Sequence, residues 1–190
     1  MEYRELLMWR VVVAALTLLF AITEADAEML EGQVVDARTG QPVEGAVVFG
    51  RWTIQTGTIS ENEVHTDAQG RFALTRPGAF RPGDELVLVY KYGYVAWVNS
   101  MIFPVDGPPR FGARLPTPAM RQDTRVPPRI TLEAFPANGN HPAHVWWLHM
   151  LADGDGLKDQ RPKLWHAIER ESAEAAKRME ELCRNRADCD

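Results

Sequence analysis

Runs of valine and aromatic residues, each closed by glycine, proline or aspartate, set the pattern for most of this chain. "MLEGQVVD" and "VEGAVVFGRW" are joined by "ARTGQP", where Gly40 supplies a positive φ and Pro42 opens the next strand without offering a donor. "EVHTD" and "RFALT" flank "AQG", in which Asp67 and Gly70 suit a tight turn, so a hairpin is expected there. "ELVLVYKY" and "YVAWVNSMIF" meet at Gly93, and "RITLEAF" closes the series after a proline-rich stretch from Pro104 to Pro128. No helical period occurs before about residue 140. Short strands punctuated in this way predict a mainly β chain folded as an antiparallel sandwich.

The pattern then changes. From Pro162 onward, Trp165, Ile168, Ser172, Ala175, Met179 and Leu182 recur at three- and four-residue steps. Glu169, Glu171, Glu174, Lys177, Arg178 and Glu181 fall largely opposite them, which predicts an amphipathic helix. Upstream, "VWWLHML" is apolar nearly all round. Each large side chain buried contributes about 1.5–3 kcal/mol, so such surface calls for cover. Trp146, Trp147 and Trp165 are expected to dock two helices over one side of the sandwich, leaving the outer charged face merely solvated. The resulting division is residues 1–27 as a signal segment, 28–135 as the β-sandwich and 136–190 as a C-terminal α-helical extension.

Composition narrows the class. With 190 residues, 45% hydrophobic and 25% charged, the chain can bury one full core plus an appendage. A net charge of −5 gives no electrostatic reason to expect a nucleic-acid partner. The apolar run from Val11 to Ile22, preceded by Arg4 and Arg10 and followed by Ala25 and Ala27 in a small-x-small pattern, predicts an export signal cleaved after Ala27. The run is shorter than the roughly 20 residues that span a bilayer. A periplasmic or secreted destination follows, with membrane contact only through that segment if it is retained.

The strand and turn residues also carry a resemblance. "GQVVDARTGQPVEGAVV", "HTDAQGRFAL", "YKYGYVAW" and "ITLEAF" resemble the carboxypeptidase regulatory-like domain, whose fold is similar to the transthyretin (prealbumin-like) β-sandwich. The matching positions are Gly32, Val34, Asp36, Thr39, Gly40, Pro42, Gly45, Ala46 and Val48, then Thr66, Asp67, Gly70 and Phe72, then Gly93 and Tyr94. The resemblance covers about residues 30 to 134. It implies a non-catalytic accessory module, often exported, that supports folding, adhesion or binding; the family is a scaffold for many functions. The stretch "TIQTGTISENE", expected as a loop, is longer than the family pattern requires, and the last 50 or so residues lie outside the resemblance.

Candidate chemistry is sparse. The closing Tyr-Arg-Gly-Ser of hydroxyisourate hydrolases is missing, as are a Gly-x-Ser-x-Gly elbow, a phosphate-binding glycine loop and a Cys-x-x-Cys pair. The expectation is no catalytic residue and no cofactor. His141, His144 and His149 are the candidates for a transition-metal site, although one helix spreads them over about 140°. Asp153, Asp155 and Asp159 are spaced like early calcium-loop ligands, but Lys158 and Leu164 stand where the loop needs glycine and glutamate. Tyr90, Tyr92 and Tyr94, at alternate positions, would line one face of an undistorted strand and could stack on a sugar. With Trp146 and Trp147 they form the candidate binding surface. Cys183 and Cys189 would stand about 9 Å apart on a continuous helix, so a bridge between them requires the helix to stop near Asn185; in an oxidising compartment that bridge is predicted to form. The sequence therefore predicts an exported binding or structural module with an unidentified protein or envelope partner. The alternatives are a small metal-binding protein and a carbohydrate-binding module.

Overall fold

The computed structural model describes residues 27–54, 56–105, 117–152 and 161–184. In chain order the elements are β1 (Glu28–Asp36), β2 (Val47–Ile54), β3 (Ile59–His65), β4 (Arg71–Arg76), β5 (Phe80–Tyr90), β6 (Trp97–Val98), β7 (Met101–Ile102), β8 (Ala119–Met120) and β9 (Arg129–Leu132). Two helices follow, α1 (His141–Ala152) and α2 (Pro162–Arg184). The protein is a mainly β sandwich with a C-terminal helical extension. One sheet has the order β4-β1-β9 and the other β3-β2-β5-β6-β7-β8. All neighbours run antiparallel except β1 and β9, which are parallel. The β2–β3 hairpin forces its strands antiparallel, whereas β1 and β9 lie far apart in the chain and are free to pair in parallel.

Local turn chemistry sets the corners. At the β1 end, Asp36 Oδ1 accepts hydrogen bonds from the Arg38 and Thr39 amides at 3.0 and 2.7 Å and from the Thr39 hydroxyl at 2.9 Å. That folds "DARTG" back on itself, as an aspartate-led turn should. Between β3 and β4, Asp67 Oδ1 accepts the Gln69 and Arg71 amides at 2.9 and 2.8 Å. Gly70 takes φ +69°, and a Cβ there would lie 2.4 Å from the Val34 carbonyl oxygen, so only glycine fits. The stretch "TIQTGTISENE" is not an extended loop. Thr53 pairs with Ile59, so most of it extends the β2–β3 hairpin.

Alternation along the strands sends side chains to two cores. Val34, Val48, Trp52, Phe72, Leu74, Val87, Val89, Ile130 and Leu132 fill the space between the sheets. The alternate residues of β2 and β5, Val47, Phe49, Leu88 and Tyr90, point to the opposite face of the larger sheet and are buried as well. Leu148 and Ala152 of α1 and Leu164, Trp165 and Ile168 of α2 cover them. The helices thus share a core with the sheet. Trp165 is buried in it and Trp147 packs at its edge, while Trp146 stays 40% exposed with its ring edge-on to Trp147 at 4.6 Å. Of the three tryptophans expected to dock the helices, Trp146 does not enter the seam.

Charged residues of β2 and β3 tie the helix ends to this face. The Arg161 guanidinium, wholly buried before α2, bonds Glu61 through Nε at 2.6 Å and Nη2 at 2.5 Å. Glu61 also accepts from Arg51 Nε at 2.8 Å, and Arg51 Nη2 donates to the Leu151 carbonyl at 3.0 Å, near the end of α1. Glu63 accepts the Lys163 and Leu164 amides at 2.7 and 2.9 Å, capping α2 from a neighbouring strand. Glu63→Ala is expected to cost about 0.5–2 kcal/mol, the range for loss of a helix cap. Urea unfolding checks this, and an unchanged midpoint would exclude a capping role.

Candidate functional site

The seam between the helices and the larger sheet holds a buried cluster of acid–base groups. Asn140 Oδ1 accepts the Ala143 amide at 3.0 Å, starting α1 with its first-turn histidines facing inward. Tyr90, His141, His144 and Glu171 then meet, all buried, with His141 the most exposed at 8%. Glu171 Oε1 lies 2.8 Å from Nδ1 of both His141 and His144, and Oε2 accepts from the Tyr90 hydroxyl at 2.6 Å. The Ala96 amide donates to His144 Nε2 at 3.0 Å. A nitrogen that accepts carries no proton, so His144 is the Nδ1–H tautomer and donates to Glu171.

The electrostatics are consistent with that wiring. Burial pushes the Glu171 carboxyl upward, but the hydrogen bonds from His144, Tyr90 and His141 outweigh it and hold the group below its ordinary value. Burial first, and then the facing carboxylate, push the Tyr90 phenol far above its usual range, so it serves as a fixed donor. Phe135 stacks on His141 with ring centroids 4.1 Å apart, and Phe103 meets His144 edge-on at 5.4 Å. The cluster is a sealed polar knot in an apolar seam.

Several sequence expectations meet a different geometry. His141 and His144 converge on a carboxylate, whereas His149 lies elsewhere, with Nε2 3.2 Å from the Ser172 hydroxyl. Among the described residues no group of three or more His, Cys, Asp or Glu side chains is placed to hold a metal ion. The tyrosine ladder does not form, because β5 ends at Tyr90 and Gly93 turns the chain with φ +91°. Tyr90 is fully buried, the Tyr92 ring lies under the Arg170 guanidinium at 4.2 Å, and the Tyr94 hydroxyl bonds Asp36 at 3.2 Å. These three rings present no common stacking face. Asp153, Asp155, Asp159 and Cys189 lie outside the described residues, as does the apolar run from Val11 to Ile22; Cys183 is half-buried near the end of α2. Among the described residues no helix is long and apolar enough to cross a membrane.

Glu171 is the residue that sequence reasoning missed. It was expected on the charged side of α2, yet it is 1% exposed. The usable signal was spacing: Leu164, Ile168, Glu171 and Ala175, all buried, recur at four, three and four residues and form one face. A glutamate inside such a stripe calls for buried donors, and the chain offers Tyr90 and two histidines.

The comparisons add little to this geometry. No protein-family model matches the chain, and no curated protein matches it. Among solved structures, 3-chlorocatechol 1,2-dioxygenase from Rhodococcus opacus 1CP is similar over 40% of this chain and 42% of that one, at 19% identity and a TM-score of 0.33. A likeness that slight carries no argument about fold or chemistry.

Proposed function

We propose that the protein is an exported, non-catalytic binding or structural module of the cell envelope. One observation carries the reading: the side chains best suited to acid–base work, Tyr90, Glu171, His141 and His144, are sealed in the helix–sheet seam and bonded to one another. A general acid or base must reach a substrate proton directly or through one water. These groups instead join α1 and α2 to the sandwich. The turns at Asp36 and Asp67 support the resemblance to the carboxypeptidase regulatory-like domain, which implies a scaffold with this kind of role.

Two measurements test the proposal. N-terminal sequencing of the protein from its native envelope fraction is expected to begin at Glu28, and a start at Met1 would overturn cleavage. Affinity capture from the same fraction is expected to retain an envelope component in stoichiometric amount. Capture that returns only the protein itself would remove the binding reading and leave the structural one.

A further inference from the structure

We infer that the cleft between α2 and the end of the larger sheet, where β2 begins and β5 stops, is a binding site for a small multivalent oxyanion, one carrying phosphate or carboxylate groups. The cleft is concave and open, with a volume of about 430 Å³, which falls within the range of small-molecule sites. Lys163, His166, Ala167 and Arg170 line it from α2, and their spacing of three, four and seven residues puts them on one helix face. Lys91 and Tyr92 line it from the segment after β5.

The charges are unbalanced in one direction. Lys91, Lys163 and Arg170 face a single lining acid, Glu169, which pairs with His166 at 3.5 Å. Among the described residues, none of the three cations forms an ion pair with a carboxylate. This is a net positive hollow on a chain whose overall charge is −5. In a concave site such a cluster focuses field and concentrates anions.

The cations are also held in place. Lys163 Nζ donates to the Glu63 carbonyl at 3.1 Å, and Lys91 Nζ lies 3.5 Å from the Gly45 carbonyl. Gly45 makes the second contact feasible, since a Cβ there would sit 3.0 Å from that ammonium. Each ammonium has three donors, so one backbone acceptor leaves two for a ligand. The Arg170 guanidinium rests on the Tyr92 ring at 4.2 Å, which fixes its plane. The start of α2 contributes nothing, because Glu63 already caps it.

The inference rests on the binding-module reading and names the ligand class. Pyrophosphate and citrate, titrated separately into the full exported protein at low salt, are the probes, read by calorimetry and by amide shifts in two-dimensional NMR. Saturable binding is expected, with shifts confined to Lys91, Tyr92 and the Lys163–Arg170 turns. The triple variant K91Q/K163Q/R170Q is expected to bind at least tenfold more weakly at an unchanged melting temperature. A control variant, R71Q/R129Q, removes two exposed arginines of the other sheet and is expected to bind as the parent does. No saturable binding, or equal weakening in both variants, would overturn the site. Envelope capture that succeeds while both anions fail to bind overturns the cleft alone and leaves the module reading standing.

Discussion

Glu171→Ala is expected to destabilise the protein by several kcal/mol, because it strands three buried donors at about 1–3 kcal/mol each. The carboxylate is 1% exposed and accepts from three side chains contributed by β5 and the first turn of α1. Without it, the Tyr90 hydroxyl and two imidazole N–H groups lose their acceptor in a seam closed to water, and each stranded donor costs about 1–3 kcal/mol. Tyr90→Phe removes only one donor to that carboxylate and is expected to cost about 1–3 kcal/mol. The acid limb of the stability curve follows from the same group. Its folded-state pKa lies below the unfolded value of about 4.5, so its stabilisation is complete above that pH and is lost as pH falls through the folded value. Urea midpoints measured from pH 7 down to about pH 3 are expected to fall steeply in the parent and less steeply in Glu171→Ala. Parallel curves would show that Glu171 does not carry the acid sensitivity.

The contrast between what the sequence revealed and what it hid follows from the range of the interactions. Asp36 and Asp67 bond amides two to four residues away, so their turns could be read from the short stretches that contain them. The helical cover was legible as surplus apolar surface, in Trp165 and in an α1 that is apolar nearly all round. Strands β2 and β5 held the matching signal: continuous runs such as "VVF" and "LVLVY" suit strands buried on both faces, and both are. Contacts between distant residues were not legible. Tyr90 and Glu171 are 81 residues apart and Arg161 and Glu61 are 100 apart, and no local pattern joins them. The same limit hid the basic cleft. Lys163, His166 and Arg170 share one face of α2, and only the fold sets Lys91 and Tyr92 opposite them.

Ending the chain at Asn138 is expected to leave a less stable sandwich that aggregates. The cut removes both helices and opens the outer face of the larger sheet, where Val47, Phe49, Leu88, Tyr90, Ala96, Val98 and Phe103 now lie in the shared core. Re-exposing side chains of this size costs about 1.5–3 kcal/mol each, so the total is roughly 10–20 kcal/mol as an upper estimate. That is comparable with the whole stability of an ordinary domain, about 5–15 kcal/mol. The ionic anchors are lost in the same cut, and Glu61 and Glu63 give up Arg161 and the capped amides of α2. The inter-sheet core around Trp52, Leu74 and Ile130 remains intact, so strand structure is expected to persist, with a melting temperature at least about 10 °C lower. The exposed apolar face is then the surface through which copies associate. Light scattering and thermal melts of the truncated and full-length chains, measured side by side, check both parts. Equal solubility and an equal melting temperature would mean that the helices add no stability to the sheet they cover, and that the seam formed by Glu171 and its partners is not what holds the sandwich together.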